Sequence, residues 1–463
     1  MRSHQRMQWL PQAIQLAGHP NDSSQLLRLF SSAFFLLLFV ILLIRLVAGD
    51  AIAAHLNTPL YYFLQSLRTS WCDPIMVTIT AYGNTPLVMI MTLCFLISLA
   101  IIKQWRVAAY LFATLFVAAG ITFIVKSSHT SLRPAAVLAY INENSFPSGH
   151  TVICIALYGF IAYITHRAFP QWGKKPTIIA ICMIILVIFS RLYLGAHWFT
   201  DILGGTCLSS AVLIASTMLL RRRLTASNIT AINPIYWGGT LLISLVLIPS
   251  LYIGTQYSKI QRLYQQQQPQ SQSTPLESWW QQPIGNLPIA RLNRFGKPIQ
   301  PFNIQWSDRL ENVKTILKNN GWIILSSDNT NDKKIPARAR PNRLFPPLHL
   351  NQPAVLTAIY RQPNQPMIEV NLWATQVTLT QPSTPVWIGT ISSSKPLANN
   401  QQSIENARPN YRIEMAMPHL ASSNLALQQI KIPTAAMANS LKEAPWDGII
   451  VILSSKAISS SSQ

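Results

Sequence analysis

Ser190-Arg191-Leu192-Tyr193-Leu194-Gly195-Ala196-His197-Trp198-Phe199-Thr200-Asp201 stands between two apolar runs, Pro176–Ser190 before it and Asp201–Leu220 after it. The same alternation of apolar run and polar block recurs upstream. Lys126 closes the run Val107–Val125 and is followed by Arg133-Pro134, and Pro147-Ser148-Gly149-His150 opens the run Thr151–Thr165. Leu29–Val47, Thr85–Ile102 and Trp237–Gly254 are apolar runs without such blocks. Each of the seven approaches or reaches the roughly 17 to 25 residues that cross a hydrocarbon core. The expected fold is an all-α transmembrane helical bundle, six helices of core plus a seventh span.

Composition agrees with that reading. Of 463 residues, 49% are hydrophobic and only 11% charged, where a soluble domain carries about a quarter charged residues. The first run starts late and has no small-residue cleavage pattern, so it reads as an uncleaved anchor. Cytoplasmic loops collect Lys and Arg. Arg2, Arg6, Arg28, Lys103, Arg106, Arg167, Lys174, Lys175 and Arg221 to Arg223 all fall on one side if the amino terminus is cytoplasmic, with Arg45 as a mild counter-signal. The polar blocks and the carboxy-terminal half then lie on the opposite side, the periplasm in a Gram-negative-like cell, and the protein is expected in the inner membrane. The formal net charge of +21 follows partly from this loop bias; from Arg262 onward, 19 Lys or Arg stand against 10 Asp or Glu. Anionic lipid suits such a surface, and no nucleic-acid motif accompanies it. Cys72, Cys94, Cys154, Cys182 and Cys207 all lie in the first half, where apolar packing is their ordinary role.

The residue types in the three blocks suit phosphate chemistry. Lys126, Arg133 and Arg191 are three permanent cations able to hold a phosphoryl dianion. Ser148 is placed as the N-cap of a helix whose start offers unpaired amides to an anion, and Gly149 lets backbone approach closely. Read alone, that tetrapeptide is a turn and a cap. His197 and Asp201 are four apart, which lets the carboxylate hold one ring nitrogen while the other stays free to attack phosphorus. No metal-ligand cluster accompanies the blocks and no cofactor is expected. His129 and Glu143 sit near them as ordinary loop residues, and Trp71 and Trp198 suit the membrane interface.

The order and spacing of these blocks resemble the type 2 phosphatidic acid phosphatase family, over roughly residues 29 to 225. The resemblance implies that His197 is the nucleophile forming a phosphohistidine, that His150 protonates the leaving oxygen and then activates water, that Asp201 orients His197, and that Lys126, Arg133, Ser148, Gly149 and Arg191 bind the phosphate. It implies a metal-independent hydrolase acting on a phospholipid or polyprenyl (pyro)phosphate in the bilayer. A phosphotransferase passing the group to another lipid uses the same intermediate, and a scaffold with an inert core is the alternative of a different class. Headgroup selection is expected in the loop Ala48–Asn84 or in the tail.

The remaining chain divides, on composition, into a segment 1–28, the membrane region 29–225, a seventh span with flanks at 226–258, a Gln/Pro/Ser-rich tether at 259–300 and a soluble α+β domain at 301–463. In the last, Asp308 with Glu311 reads as a capping box, Leu310, Val313 and Leu317 as a helix face and Gly321 as its stop. Trp322–Leu325, Ala354–Tyr360, Met367–Leu372, Val386–Thr390, Tyr411–Met415 and Ile449–Leu453 read as strands. The Gly321-Trp322 helix end and the stretch Pro385-Val386-Trp387-Ile388-Gly389 resemble the LssY-type carboxy-terminal domain of bacterial lipid phosphatases, which implies no established chemistry; with no nucleophile-base pair, metal cluster or Gly-rich phosphate loop in this stretch of sequence, a binding or substrate-presenting module is expected rather than a second enzyme. Its basic run Lys333, Lys334, Arg338, Arg340 and Arg343 is a candidate dock for anionic envelope lipid or polymer.

Overall fold

A computed structural model of the protein describes residues 22–49, 51–134, 144–223, 232–265, 272–283, 285, 287–325, 347–349, 352–362, 367–380, 383–394, 410–420, 425–433, 441 and 446–455. The basic run Lys333 to Arg343 and Glu143 lie outside them. Two compact units divide the chain, Met1–Gln267 and Gln268–Gln463.

The first unit is built of helices: α1 (Asp22–Val47), α2 (Ala51–Ser66), α3 (Cys72–Ala81), α4 (Thr85–Ile101), α5 (Trp105–Ser128), α6 (Gly149–Ala168), α7 (Lys175–Tyr193), α8 (Phe199–Arg223) and α9 (Pro234–Leu263). Six are long and apolar enough to cross a membrane, and α3 with α4, bent by 45°, makes a seventh candidate. Local chemistry sets their starts. Pro86, Pro176 and Pro234 occupy first-turn positions, where a missing N–H costs nothing. The Asn233 side chain accepts from Ile235 N at 2.9 Å and from Tyr236 N at 3.2 Å, capping α9. A π-turn at Ile243–Leu247 interrupts that helix before Pro249, whose ring cannot supply an N–H to the ladder.

Four expectations change here. The loop Ala48–Asn84 holds two helices, which bury Leu64, Val77 and Ala81, although neither helix is long enough to span. The short fourth and fifth runs extend to full spans of 20 and 19 residues. The seventh runs to Leu263 rather than ending near Gly254. Ser148 is the N-cap of α6, yet its hydroxyl makes no capping bond.

The second unit carries strands β1 (Gln272–Thr274), β2 (Ala290–Leu292), β3 (Pro298–Pro301), β4 (Ile304–Ser307), β5 (Ile323–Leu325), β6 (Leu348–His349), β7 (Gln352–Pro353), β8 (Leu356–Tyr360), β9 (Met367–Leu379), β10 (Pro385–Ser394), β11 (Ala426–Lys431) and β12 (Ile449–Ser454). Eight form one mixed sheet in the order β11-β12-β4-β10-β9-β8-β5, with β1 parallel to the far end of β9, while β2–β3 and β6–β7 make small hairpins. The stretch 259–300, read as a tether, therefore contributes a sheet strand and the short helix Leu276–Gln281, whose Trp279 is buried. The helix Leu310–Asn319 buries Val313 and Leu317. It ends as the sequence suggests: Gly321 adopts φ +82°, with Gly321 N on Lys318 O and Trp322 N on Leu317 O, both at 3.0 Å. Its start differs from a capping box. Arg309 is the N-cap, and Asp308 Oδ1 accepts instead from Arg309 N and Asn312 Nδ2 at 2.6 and 2.9 Å. Tyr411–Met415 is not a strand; a 3-10 turn occupies Ile413–Met415, anchored by the burial of Ile413.

Candidate active site

The polar blocks lie at the carboxy-terminal ends of α5 and α7 and the amino-terminal ends of α6 and α8, so antiparallel spans bring all of them to one end of the bundle. Helix polarity supports their charges. Lys126 and Arg191 sit in last turns, where the dipole favours cations, and the starts of α6 and α8 present unpaired amides.

His197 is aimed by the turn before it. Gly195 at φ +69° ends α7, with Gly195 N on Leu192 O and Ala196 N on Arg191 O, both at 3.0 Å. Only a residue tolerant of positive φ makes that reversal cheaply. The turn carries His197 to within 3.2 Å of Asp201, Nδ1 to Oδ2. The same carboxylate oxygen accepts from Trp198 N at 2.9 Å, capping α8, and from the Ser145 hydroxyl. On the far side of the ring, Arg133 Nη1 lies 3.3 Å from Nε2 and also donates to Ala196 O at 3.0 Å. These contacts assign the proton to Nδ1 and leave the Nε2 lone pair facing the guanidinium.

His197 and Asp201 are almost fully buried. Burial is the main reason that the His197 imidazole is held well below its ordinary pKa, with the charges of Arg133, Arg191, Lys126 and His150 adding to it. The ring is therefore neutral, as an attacking base requires.

Lys126 Nζ donates to the carbonyl of Asn144, and Asn144 answers by donating Nδ2 to Lys126 O at 2.6 Å and accepting from Ser131 N at 2.9 Å. Ser131 Oγ then accepts from the amides of Ser145 and Phe146 at 2.9 and 2.8 Å. Through this clasp the block after α5 fixes the block before α6. Ser148 N reaches Asp201 O at 3.1 Å, and the approach depends on two glycines of α8. A Cβ at Gly204 would clash with Phe146 Cε2, and one at Gly205 would lie 3.0 Å from Ser148 O. His150 stands at the first turn of α6, where a Cβ on Gly83 would come within 2.9 Å of its ring.

Arg191 is 1% exposed, yet its two hydrogen bonds both leave from Nη1, to Thr80 Oγ1 at 3.0 Å and Tyr264 Oη at 2.5 Å. Its Nε is buried without a partner among the described residues, as are the hydroxyls of Ser148 and Thr151. All eight residues singled out in the sequence thus belong to one end of the bundle. Lys126, Arg133, Ser148, His197 and Asp201 are joined by bonds through Asn144 and Ser145, Arg191 is joined to His197 by the Gly195 turn, and Gly149 and His150 open the adjoining helix. Sequence reading missed Ser131, Asn144, Ser145, Thr80 and Tyr264. The Gly204-Gly205 pair was the one available signal, since small residues in a span mark a close approach.

Residues 106–225 match the family model described as PAP2 superfamily. This stretch is a PAP2 superfamily domain. It contains all eight residues, and Thr80 and Tyr264 lie outside it. Among curated proteins, Phosphatidylglycerophosphatase B of Bacillus subtilis (strain 168) is 44% identical over 73 residues, 15% of this chain and 36% of that protein. A probable sphingosine-1-phosphate phosphatase of Dictyostelium discoideum is 28% identical over 181 residues, 36% of this chain and 43% of that protein. The chain thus spans less than half the length of either relative. A crystal structure of a transmembrane PAP2 type phosphatidylglycerolphosphate phosphatase from Bacillus subtilis is 24% identical, with a TM-score of 0.38, covering 42% of this chain and 98% of that one.

Proposed function

We propose that the protein is an integral-membrane, metal-independent lipid phosphatase that removes phosphate from a phospholipid or polyprenyl (pyro)phosphate. The observation that carries this reading is the set of buried donors without partners among the described residues, Arg191 Nε, Ser148 Oγ and Thr151 Oγ1, at the same end of the bundle as a neutral His197 and three cations. Leaving buried donors open costs about 1 to 3 kcal/mol each, a cost that an anion accepting from them would offset.

In the proposed reaction the Nε2 lone pair of His197 attacks phosphorus. The bond from phosphorus to the lipid oxygen breaks, and His150 gives that oxygen its proton. Water then attacks the phosphohistidine, losing a proton to His150 as the phosphorus–nitrogen bond breaks and phosphate leaves. Asp201 holds the Nδ1 proton throughout, and Lys126, Arg133, Ser148, Gly149 and Arg191 bear the charge spreading over the equatorial oxygens.

Orientation belongs to the same proposal. Arg222 Nη2 donates to Gln25 Oε1 at 3.1 Å, tying the start of α1 to the end of α8 at the end where the Arg and Lys loops collect. That end is read as cytoplasmic, placing the site on the periplasmic face of an inner membrane. For the second unit the LssY-type resemblance, and a dock for anionic envelope lipid or polymer, remain part of the proposal.

The experiment is phosphate release in EDTA by purified full-length protein and by His197→Ala, over phosphatidic acid, phosphatidylglycerol phosphate, undecaprenyl pyrophosphate and lipid A phosphate. The variant is expected to lose at least about 10³-fold in turnover with its thermal stability kept. Retained turnover in the variant, or none from the wild type on any lipid, rejects the reading.

A further inference from the structure

The end of α9, outside the PAP2 domain, meets the phosphate clamp through Tyr264 and encloses a separate cavity of about 160 Å³ lined by Arg68, Asp73, Val77, Gln261, Tyr264 and Gln265. The cavity is one side chain from the clamp, because the Tyr264 hydroxyl that accepts from Arg191 belongs to a residue that also forms its wall.

Its charge differs from that of the site next door. Arg68 is spent on Asp73 in a two-point pair, Nε to Oδ1 at 3.2 Å and Nη2 to Oδ2 at 2.6 Å. The other lining side chains are uncharged, so the wall as a whole carries no net charge. It still offers hydrogen bonds. The Arg68 side chain is 5% exposed and its Nη1 has no partner among the described residues, while the Asp73 side chain remains 32% exposed. The walls are held firmly: Tyr193 Oη donates to Asp73 Oδ1 at 2.9 Å and accepts from Thr69 N at 3.0 Å, and Arg68 Nη2 reaches Tyr264 O at 3.3 Å. A neutral wall with a partly exposed carboxylate and two amides favours hydroxyl groups. A second phosphate would find no unspent charge there.

We propose that this cavity is a headgroup subsite that takes the uncharged polyhydroxyl part, a glycerol or sugar, of a lipid phosphate whose phosphate lies at Arg191. The proposal rests on the phosphate-site reading above. It assigns the turn at Arg68, α3 and the end of α9, which the PAP2 domain does not include, the task of selecting substrate.

The test is calorimetric titration of full-length protein in detergent with inorganic phosphate and with glycerol 1-phosphate, using wild type and Gln261→Trp. Gln261 is exposed and its side chain takes part in no hydrogen bond among the described residues, so an indole there occupies the cavity without breaking a hydrogen bond of that network. Wild type is expected to bind glycerol 1-phosphate about tenfold more tightly than phosphate, the worth of one to two net hydrogen bonds. Gln261→Trp is expected to erase that preference and leave phosphate affinity unchanged. Equal affinity for the two probes in wild type, or a preference that survives the indole, overturns the subsite and leaves the phosphate site standing. Binding of neither probe overturns both.

Discussion

The polar cluster around Asn303 in the second unit and the one around His197 in the first are buried to different purposes. In the second, Asn303 donates Nδ2 to Ile391 O and Tyr411 O at 2.8 and 2.9 Å and accepts from Ile391 N at 2.6 Å. Gln305 joins Trp279 Nε1 to Pro283 O, and Thr357, Asn371 and Glu369 bond in series. These groups satisfy one another and the backbone, so their work is to fix strand register and strand ends. In the first unit the polar groups at the His197 end of the bundle include donors, Arg191 Nε and the Ser148 and Thr151 hydroxyls, without partners among the described residues. Mutual satisfaction marks architecture, and unsatisfied donors beside a histidine and permanent cations mark chemistry.

Substitution in each unit can break that contrast. The largest effect is expected from Asp201→Asn, which keeps the shape but no longer fixes the proton on Nδ1: turnover should fall by about 10³-fold with little change in KM. A loss below tenfold would remove Asp201 from the mechanism. Asn303→Leu is the counterpart. Removing three buried hydrogen bonds to the backbone should destabilise the second unit by about 2 to 4 kcal/mol, read by chemical denaturation, with phosphate release unchanged. Falling release at full stability would place Asn303 in function instead. A smaller effect is expected at the junction of Arg191 with α9. Tyr264→Phe removes one hydrogen bond to a charged group and should lower kcat/KM by about tenfold, while the ring, whose centroid lies 5.2 Å from the guanidinium, stays in place.

The contrast also explains what the sequence made legible. Lys126, Arg133, Ser148, His150, Arg191, His197 and Asp201 are chemically distinctive residues at helix ends, and alternating spans carry them to the same end without knowledge of any contact. Gly195 and Gly321 each end a helix at positive φ, a local requirement that shows in the residue type. Ser145 has no such mark: it reaches Asp201 across 56 positions of sequence, a pairing that only the packed bundle makes. Tyr264 is equally silent, lying beyond the last apolar run. In the second unit β9 reads as ending near Leu372 because Thr375 and Gln376 interrupt its apolar pattern. It continues to Leu379 because β1, from the stretch read as a tether, pairs with that end. Strand partners distant in sequence are tertiary facts, as the misread Tyr411–Met415 also attests.

The smallest effect concerns proton linkage at His197, and its sign follows from the structure. The folded state holds this imidazole below its ordinary value of 6.5, chiefly through burial and then through Arg133. Above pH 6.5 the ring is neutral in folded and unfolded chains alike. As pH falls below 6.5 the unfolded chain takes up a proton that the folded one refuses, so stability is lost on acidification until the depressed folded value is reached. Thermal unfolding of full-length protein in detergent should therefore show a melting temperature that drops from pH 7 to pH 5. Arg133→Gln removes the nearest cation while leaving burial, so the drop should become shallower without vanishing, and His197→Ala should shrink it further. A slope identical in all three proteins would mean that the loss arises elsewhere. The second unit would then have to be searched for the responsible group, beginning with His349, whose burial holds it at about 4.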